Sequence, residues 1–467
     1  MRRHFISLCL LFLAAIIMAS CLNSDNDDVT FYDDAAITAF SLSSVEMTRH
    51  TTDSTGTDST YVEMSTEVSS YNFYIDQLQG LIYNVDSLPV GTNAAKILCT
   101  YSTKNNSYAA IKSMTSDTLT YFNTADTIDF SSPRTISVFS TSGLNEKKYT
   151  ITVNVHKESA DSFKWTQYPD SRVLTTLRDM KSHFLNGNII VMAPVGNATK
   201  VYRMNAANDK VLTEDDATLD DANAYKNAVV KGNTMFVLDG NKVKKTQDGH
   251  NYEVVVDQAP ISRLVAASST EVYGLTADNR FMASTDDCLT WTESDMDSEG
   301  RYVPTYDLSF VCQDFQYSKN TDYVLLVGNR HEATTSTDSL AVVWRNIVEK
   351  DAGSNKSSWT YMNYDSRSQS PLKSLSSLNV IAYDNLLLAF GGKGINGCKE
   401  KAYSSIYASS DGGMKWVKHT SIEYPYGFDN SASAMTVCTD DNDYVWIMLN
   451  SSGQVWRGRL NKLGWRH

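Results

Sequence analysis

The chain has 467 residues, a net charge of −13 and aromatic residues at 11% of its positions. That acidic balance excludes a nucleic-acid partner, which needs a basic face to displace counterions. The length allows two or three domains, and the Ser, Thr, Asn, Asp and Gly content with 26 Tyr suits a β protein with many tight turns.

The first segment carries Arg2 and Arg3, then an apolar run from Leu8 to Met18, then Ala19-Ser20-Cys21. A charged start, an apolar middle and a small-residue end predict a signal peptide over residues 1–20. The cysteine at the cleavage position resembles a bacterial lipobox, with Met18 where Leu is usual. The resemblance implies lipid on Cys21. No other run approaches the ~20 apolar residues of a spanning helix, so lipid is the only expected anchor. Residues 21–28 read as a flexible tether. Their acidic cluster, Asp25-Asn26-Asp27-Asp28, resembles the export signal of Bacteroidetes surface lipoproteins and implies an outer-membrane, surface-exposed address. Beyond Cys21 stand Cys99, Cys288, Cys312, Cys398 and Cys438, without a Cys-x-x-Cys. Free buried thiols are expected, and Cys288 with Cys312 is the pair to check.

Residues 29–157 alternate short apolar strands with polar turns. Ala36–Leu42, Tyr71–Ile75, Leu81–Val85, Ala95–Cys99, Thr135–Phe139 and Tyr149–Val155 are the clearest. About seven strands with one buried face each predict an antiparallel sandwich. The order Phe40-x-Leu42, Gly80-Leu-Ile-Tyr, Leu88-Pro89-x-Gly91, Ile128-Asp-Phe130 and the Tyr149 strand resembles the Ig-like domains that head many Bacteroidetes surface lipoproteins. Thr51–Tyr61 reads as a polar loop. Asp followed by Ser or Thr and a methyl-bearing residue recurs at Ser87, Thr118, Thr127 and Ser339, which resembles the O-glycosylation sequon of Bacteroidetes secreted proteins.

Lys157–Phe163 is a polar junction, and a repeat follows it over residues 163–467. Apolar runs begin at Asn188, Asn233, Glu271, Asp322, Asn385 and Asp443, each followed by a second strand and then by a third. The spacing fits the roughly 40 to 50 residues of a four-stranded propeller blade, with polar insertions in the longer intervals. The expected fold is all-β, an Ig-like sandwich followed by a six-bladed β-propeller, with seven blades as the alternative. The predicted innermost strands contain Ser182–Leu185, Ala228, Val265, Phe310, Val380 and Ala434. Either the Phe163-Lys-Trp165 strand or Leu463-Gly-Trp465 closes the ring.

Ser409-x-Asp411-x-Gly413-x-x-Trp416 places a turn-closing Asp, a permissive Gly and an apolar Trp between two strands. It resembles the Asp-box hairpin of sialidase-type propellers. Ser284-x-Asp286-x-Cys288-x-x-Trp291 repeats it with Cys in the Gly place, and Thr246-x-Asp248 with Tyr252 is a shorter copy. The motif implies architecture and not catalysis. The sialidase activity is not carried over, because the family's early Arg-Ile-Pro string is absent and no Tyr-Glu pair stands in a matching context.

No phosphate-binding loop is present, and the eight His lack metal-ligand spacing. No metal and no cofactor are expected. His183 and His250 read as surface or turn residues. The expectation is therefore binding, at the end of the ring where loops enter the inner strands. The candidates there are Tyr225, Arg263, Arg301, Tyr302, Tyr306, Lys373, Tyr424 and Tyr426, residue types suited to a glycan or a protein hot spot. The reading is a monomeric, non-catalytic surface lipoprotein with a glycan or protein ligand. The alternatives are a glycoside hydrolase or lyase, which needs paired carboxylates, and a structural subunit of an outer-membrane assembly.

Overall fold

The computed structural model describes residues 30–52, 58–208, 210–315, 318–330, 339–351, 358–362 and 370–464. The expected signal segment, Cys21, the tether and Trp465 lie outside them. The chain divides into two compact units, Met1–Ser159 and Ala160–His467.

The first unit is all-β and has two sheets. In the smaller, Ile37–Thr52 runs between Asp58–Ser65 and Thr92–Thr103. The larger has six strands in the order Phe73–Asp76, Leu81–Asn84, Glu146–Thr152, Arg134–Phe139, Tyr108–Lys112 and Leu119–Tyr121. One apolar cluster draws on both sheets, with Ile37, Leu42, Val45 and Ile97 from one and Ile82, Ile136, Val138 and Ile151 from the other. Alternation supplies it, since every second residue of these strands points inward. Tyr149 is buried there, accepting from the Ile37 amide at 3.1 Å and donating to Gln77 Oε1 at 2.6 Å. The polar loop expected over Thr51–Tyr61 is shorter than the sequence suggests. Strand pairing continues to Thr52 and resumes at Asp58. Thr, Tyr and Val favour extended backbone there, and Arg49 on one strand pairs with Glu63 on the other at 2.8 Å.

Among its described residues, the second unit forms six sheets, here I to VI in chain order. Their first strands are Lys181–Leu185, Ala228–Lys231, Arg263–Ala267, Tyr306–Phe315, Asn379–Tyr383 and Met435–Thr439. Each first strand lies beside that of the next sheet, and the sixth returns to the first. Hydrogen bonds join some of these neighbours. The Ser182 amide donates to Thr436 Oγ1 at 2.7 Å, and the Val380 amide donates to Ser309 Oγ at 2.9 Å.

The apolar runs now have a physical explanation. In Asn188–Val195, the second strand of sheet I, Ile189 and Val191 pack against Trp446 and Met448 of sheet VI. Ile190 and Met192 point the other way, toward Met235 and Val237 of sheet II. A strand buried on both faces loses polar alternation and reads as a continuous apolar run. Equivalent clusters fill the other four gaps between neighbouring sheets.

The ring is closed by the strand Phe163–Tyr168, which pairs antiparallel with Val455–Leu460 as the outer strand of sheet VI. Leu463 instead sits in the short helix Asn461–Gly464, buried against sheets V and VI. All five cysteines of the described residues are free, including Cys288 and Cys312.

Candidate functional site

The six first strands enclose a passage whose wall includes His183, Phe310, Cys312, Val380 and Cys438. At one end it opens into a cavity of about 400 Å³. Its lining comes from the segments that lead into the first strands, so all six sheets contribute: Asp179–Lys181, Tyr225–Asn227, Ser262–Val265, Thr305–Leu308, Ser377–Asn379 and Met435. The topology forces this convergence. Each connection crosses from the outer edge of one sheet to the inner strand of the next, and these connections meet at one end.

Charged and hydrogen-bonding groups line this mouth. Tyr225 lies in the 3-10 turn Ala224–Lys226 and is buried. Its hydroxyl donates to Asp179 Oδ2 at 2.6 Å. Burial, and then the Asp179 carboxylate, push that hydroxyl well above the usual tyrosine range. Lys226 Nζ stands 3.7 Å from the same carboxylate and 5.1 Å from the Tyr225 ring centroid. Arg263 donates to the carbonyls of Pro304 at 3.3 Å and Thr305 at 3.1 Å, and to Asn279 Oδ1 at 2.5 Å. It thereby ties sheet III to the segment entering sheet IV. Tyr306 accepts from Asn396 Nδ2 at 2.8 Å. Asp307 holds a left-handed backbone, with φ at 49°, and accepts from Asn329 Nδ2 at 3.1 Å. Burial raises its carboxyl above the ordinary value. Lys181 donates to the Leu308 carbonyl.

Three of the eight expected ligand contacts, Tyr225, Arg263 and Tyr306, line the mouth. The other five do not. Arg301 pairs with Glu299 at 3.1 Å and covers Tyr302, whose ring stacks on Tyr361 at 5.1 Å. Their turn, Gly300–Tyr302, ends well before the strand that reaches the mouth. Lys373 bridges to Leu340. Tyr424 packs on Tyr403 and Phe428, and its hydroxyl accepts from the Gly391 amide at 3.1 Å. Tyr426 is fully exposed.

Asp179, Lys181 and Asp307 were not legible as site residues. The available signal was position, since each stands at the entry to an inner strand. His183 is a correction. It faces the passage, and its Nε2 has no hydrogen-bond partner among the described residues. Burial, then the nearby Lys181, lower its pKa to about 3. His250 lies in a turn as expected, with Nδ1 2.6 Å from Asp215 Oδ1. Among the described residues no three His, Cys, Asp or Glu are grouped to hold a metal.

The Ser-x-Asp turns lie elsewhere. Ser409 donates to Asp411 at 2.9 Å and accepts from the Gly413 amide at 2.9 Å. Asp411 accepts from the amides of Met414 and Lys415, and Trp416 donates from Nε1 to the Gly413 carbonyl at 2.9 Å. Trp416 is buried among residues of sheets IV and V, and Tyr323 of sheet IV donates to the Gly412 carbonyl at 2.6 Å. Ser284 and Asp286 repeat the pattern at 2.8 Å, with the Cys288 amide on Ser284 and Cys288 buried against sheet II. Trp291 packs against that cluster. These turns fasten a sheet to its predecessor and do not line the mouth. Of the expected glycosylation positions, Thr118 and Thr127 are exposed, while Ser87 and Ser339 are half-buried.

Residues 159–467 match the DUF6242 beta propeller domain, and residues 40–153 match the DUF6242 N-terminal domain, a domain of unknown function. The chain belongs to the DUF6242 family. Its second unit is thus a β-propeller domain, consistent with the ring of sheets. No curated protein matches the chain. Among solved structures, it is similar to the Trichoderma reesei protein of carbohydrate-active enzymes family AA12. Identity is 10%, coverage 64% of this chain and 96% of the other, and the TM-score 0.39. It is also similar to YCF48 from Cyanidioschyzon merolae, at 10% identity, 64% and 99% coverage and a TM-score of 0.32. A third is Trypanosoma rangeli sialidase, at 11% identity, 62% and 55% coverage and a TM-score of 0.34. The function of this DUF6242 chain is argued from its own residues.

Proposed function

We propose that the chain is a lipid-anchored Bacteroidetes surface protein whose propeller binds a glycan or protein ligand at the mouth, without catalysis. One observation carries the binding reading. A cavity of about 400 Å³ is lined from all six sheets by hydroxyl, amide and charged groups. Such a concave, polar, rigidly framed site suits a hydrogen-bonding ligand such as a glycan. The six sheets and the return of the last to the first support a six-bladed count. The two sheets over one core support an Ig-like first domain. The Ser-x-Asp hydrogen bonds support the Asp-box reading. The address rests on the sequence around Cys21.

The test is a glycan array and an affinity capture with the wild-type chain and with Arg263→Met and Tyr306→Ala. Loss of the signal in both variants is expected. Full retention in both removes the site assignment. Two carboxylates at the mouth, Asp179 and Asp307, support hydrolysis or elimination of a glycan as the second reading. Turnover of a glycoside panel, abolished by Asp307→Asn, would put that reading first.

A further inference from the structure

The amine of Lys181 is set apart from the other described lysines by its surroundings. It begins the first strand of sheet I and borders both the mouth cavity and the passage behind it. Its hydrogen-bond partner is a backbone carbonyl, that of Leu308 on sheet IV, across the opening. Among the described residues no carboxylate stands within ion-pair distance of it. Lys226, at the same mouth, keeps Asp179 at 3.7 Å and is exposed. A partly buried ammonium ion with only a neutral acceptor is poorly compensated, so the neutral amine is favoured.

We propose that Lys181 is a reactive amine at the floor of the mouth, placed to form an imine with a small polyhydroxy aldehyde, such as the open-chain reducing end of a sugar. The amine nitrogen attacks the carbonyl carbon, a C–N bond forms and the carbonyl electron pair moves to oxygen. One proton passes from nitrogen to that oxygen, the resulting hydroxyl takes the second N–H proton and leaves as water, and the lysine and aldehyde are joined as C=N. Neither oxidant nor reductant is needed. Lysine performs this chemistry where desolvation or a neighbouring cation keeps it unprotonated near neutral pH.

The charged groups around Lys181 favour the step. Lys226 beside it opposes its protonation, while Asp179 and Asp307 support it. Burial outweighs both carboxylates and brings the amine down to about 8. Asp307 precedes the carbonyl that holds Lys181, and burial raises its carboxyl above the ordinary carboxylate value. His183, two residues along the same strand, is uncharged at neutral pH.

The inference shares the mouth with the proposed binding site, and it is read separately from glycan affinity. The full chain is incubated with D-glyceraldehyde and cyanoborohydride, which reduces any imine to a stable secondary amine. Modified lysines are then located by peptide mapping. At pH 7.5, labelling of Lys181 about tenfold or more above Lys226 is expected, since a value of about 8 leaves a sizeable share of the Lys181 amine unprotonated at that pH. That preference should shrink above pH 10. Labelling of Lys181 equal to or below that of Lys226 at pH 7.5 would overturn the proposal. The measurement needs no substitution, so a folding defect cannot mask it. Lys181→Arg should remove the label at that position and leave the remaining lysines unchanged.

Discussion

Cys288 occupies the same place in its turn as Gly413 does in another, and both hold left-handed backbone, with φ at 72° and 89°. Each amide donates to the serine four residues earlier at 2.9 Å. A Cβ resists this conformation, at a cost of about 1–3 kcal/mol. At Cys288 the buried thiol offsets part of that cost against sheet II. At Gly413 a Cβ would stand 3.2 Å from the Leu325 methyls, too near for an easy fit. Gly413→Cys should therefore lower unfolding stability by about 1–3 kcal/mol. Cys288→Gly should fall within about 1 kcal/mol of wild type, because relieved strain and lost packing oppose each other. Urea denaturation of both variants checks the pair, and equal losses would contradict the explanation.

The closing seam makes a second prediction. Trp165 lies directly across from Gly458, and a Cβ on Gly458 would stand 2.3 Å from the Phe163 ring and 2.5 Å from the Trp165 indole. Gly458→Ala should destabilise the second unit by about 1–3 kcal/mol through overpacking. The same change in a Trp165→Ala background should cost less, because one of the two rings it meets is gone. A double-mutant cycle with no coupling would show that the seam does not depend on this contact.

Acid sensitivity is the third. His183 is held at about 3, against an ordinary 6.5, by burial and then by Lys181. Between those values the unfolded chain binds the proton and the folded chain does not. Stability must then fall as pH drops from 6.5 toward 3. His183→Asn should flatten that decline. Asp286 acts in the same direction but lower, since hydrogen bonds from Thr290 hold it at about 2. Its contribution is present above the ordinary carboxylate range and is lost as pH falls through 2. Unfolding midpoints at pH 7 and pH 5 isolate the His183 part, and identical slopes in wild type and variant would refute it.

The proposed anchor gives a fourth. Cys21→Ser should release the chain from membranes, because lipid on that cysteine is the proposed attachment. Radiolabelled fatty acid should enter the wild-type chain and not the variant. A variant that still carries label and stays with the membrane fraction would remove Cys21 from the anchor.

The repeat was legible in sequence because strands buried on both faces lose their alternation. Asn188–Val195 shows this, with Ile189 and Ile190 serving different gaps between sheets. The inner strands were also legible, since Val265, Phe310 and Val380 stand in short apolar runs that precede the longer ones. The closing strand was not, because Phe163-Lys-Trp165 and Leu463-Gly-Trp465 each place a Trp two residues after an apolar residue. Long-range pairing decided it. The mouth was legible only in part. Tyr225, Arg263 and Tyr306 stand at entries to inner strands, whereas Tyr302 and Tyr424 are equally aromatic but serve packing. Composition cannot separate these roles. Lys181 stayed hidden because its distinction is a partly buried place at the mouth with a backbone carbonyl as hydrogen-bond partner, which only three-dimensional neighbours reveal.

The most direct measurement is backbone hydrogen exchange of the chain with and without a ligand recovered by the glycan array or affinity capture. Protection should concentrate at Met180–Lys181, Tyr225–Lys226 and Tyr306–Asp307, from three different sheets at once. Protection confined to the exposed segment around Tyr426, or spread along an outer strand with those three places unchanged, would contradict binding at the mouth.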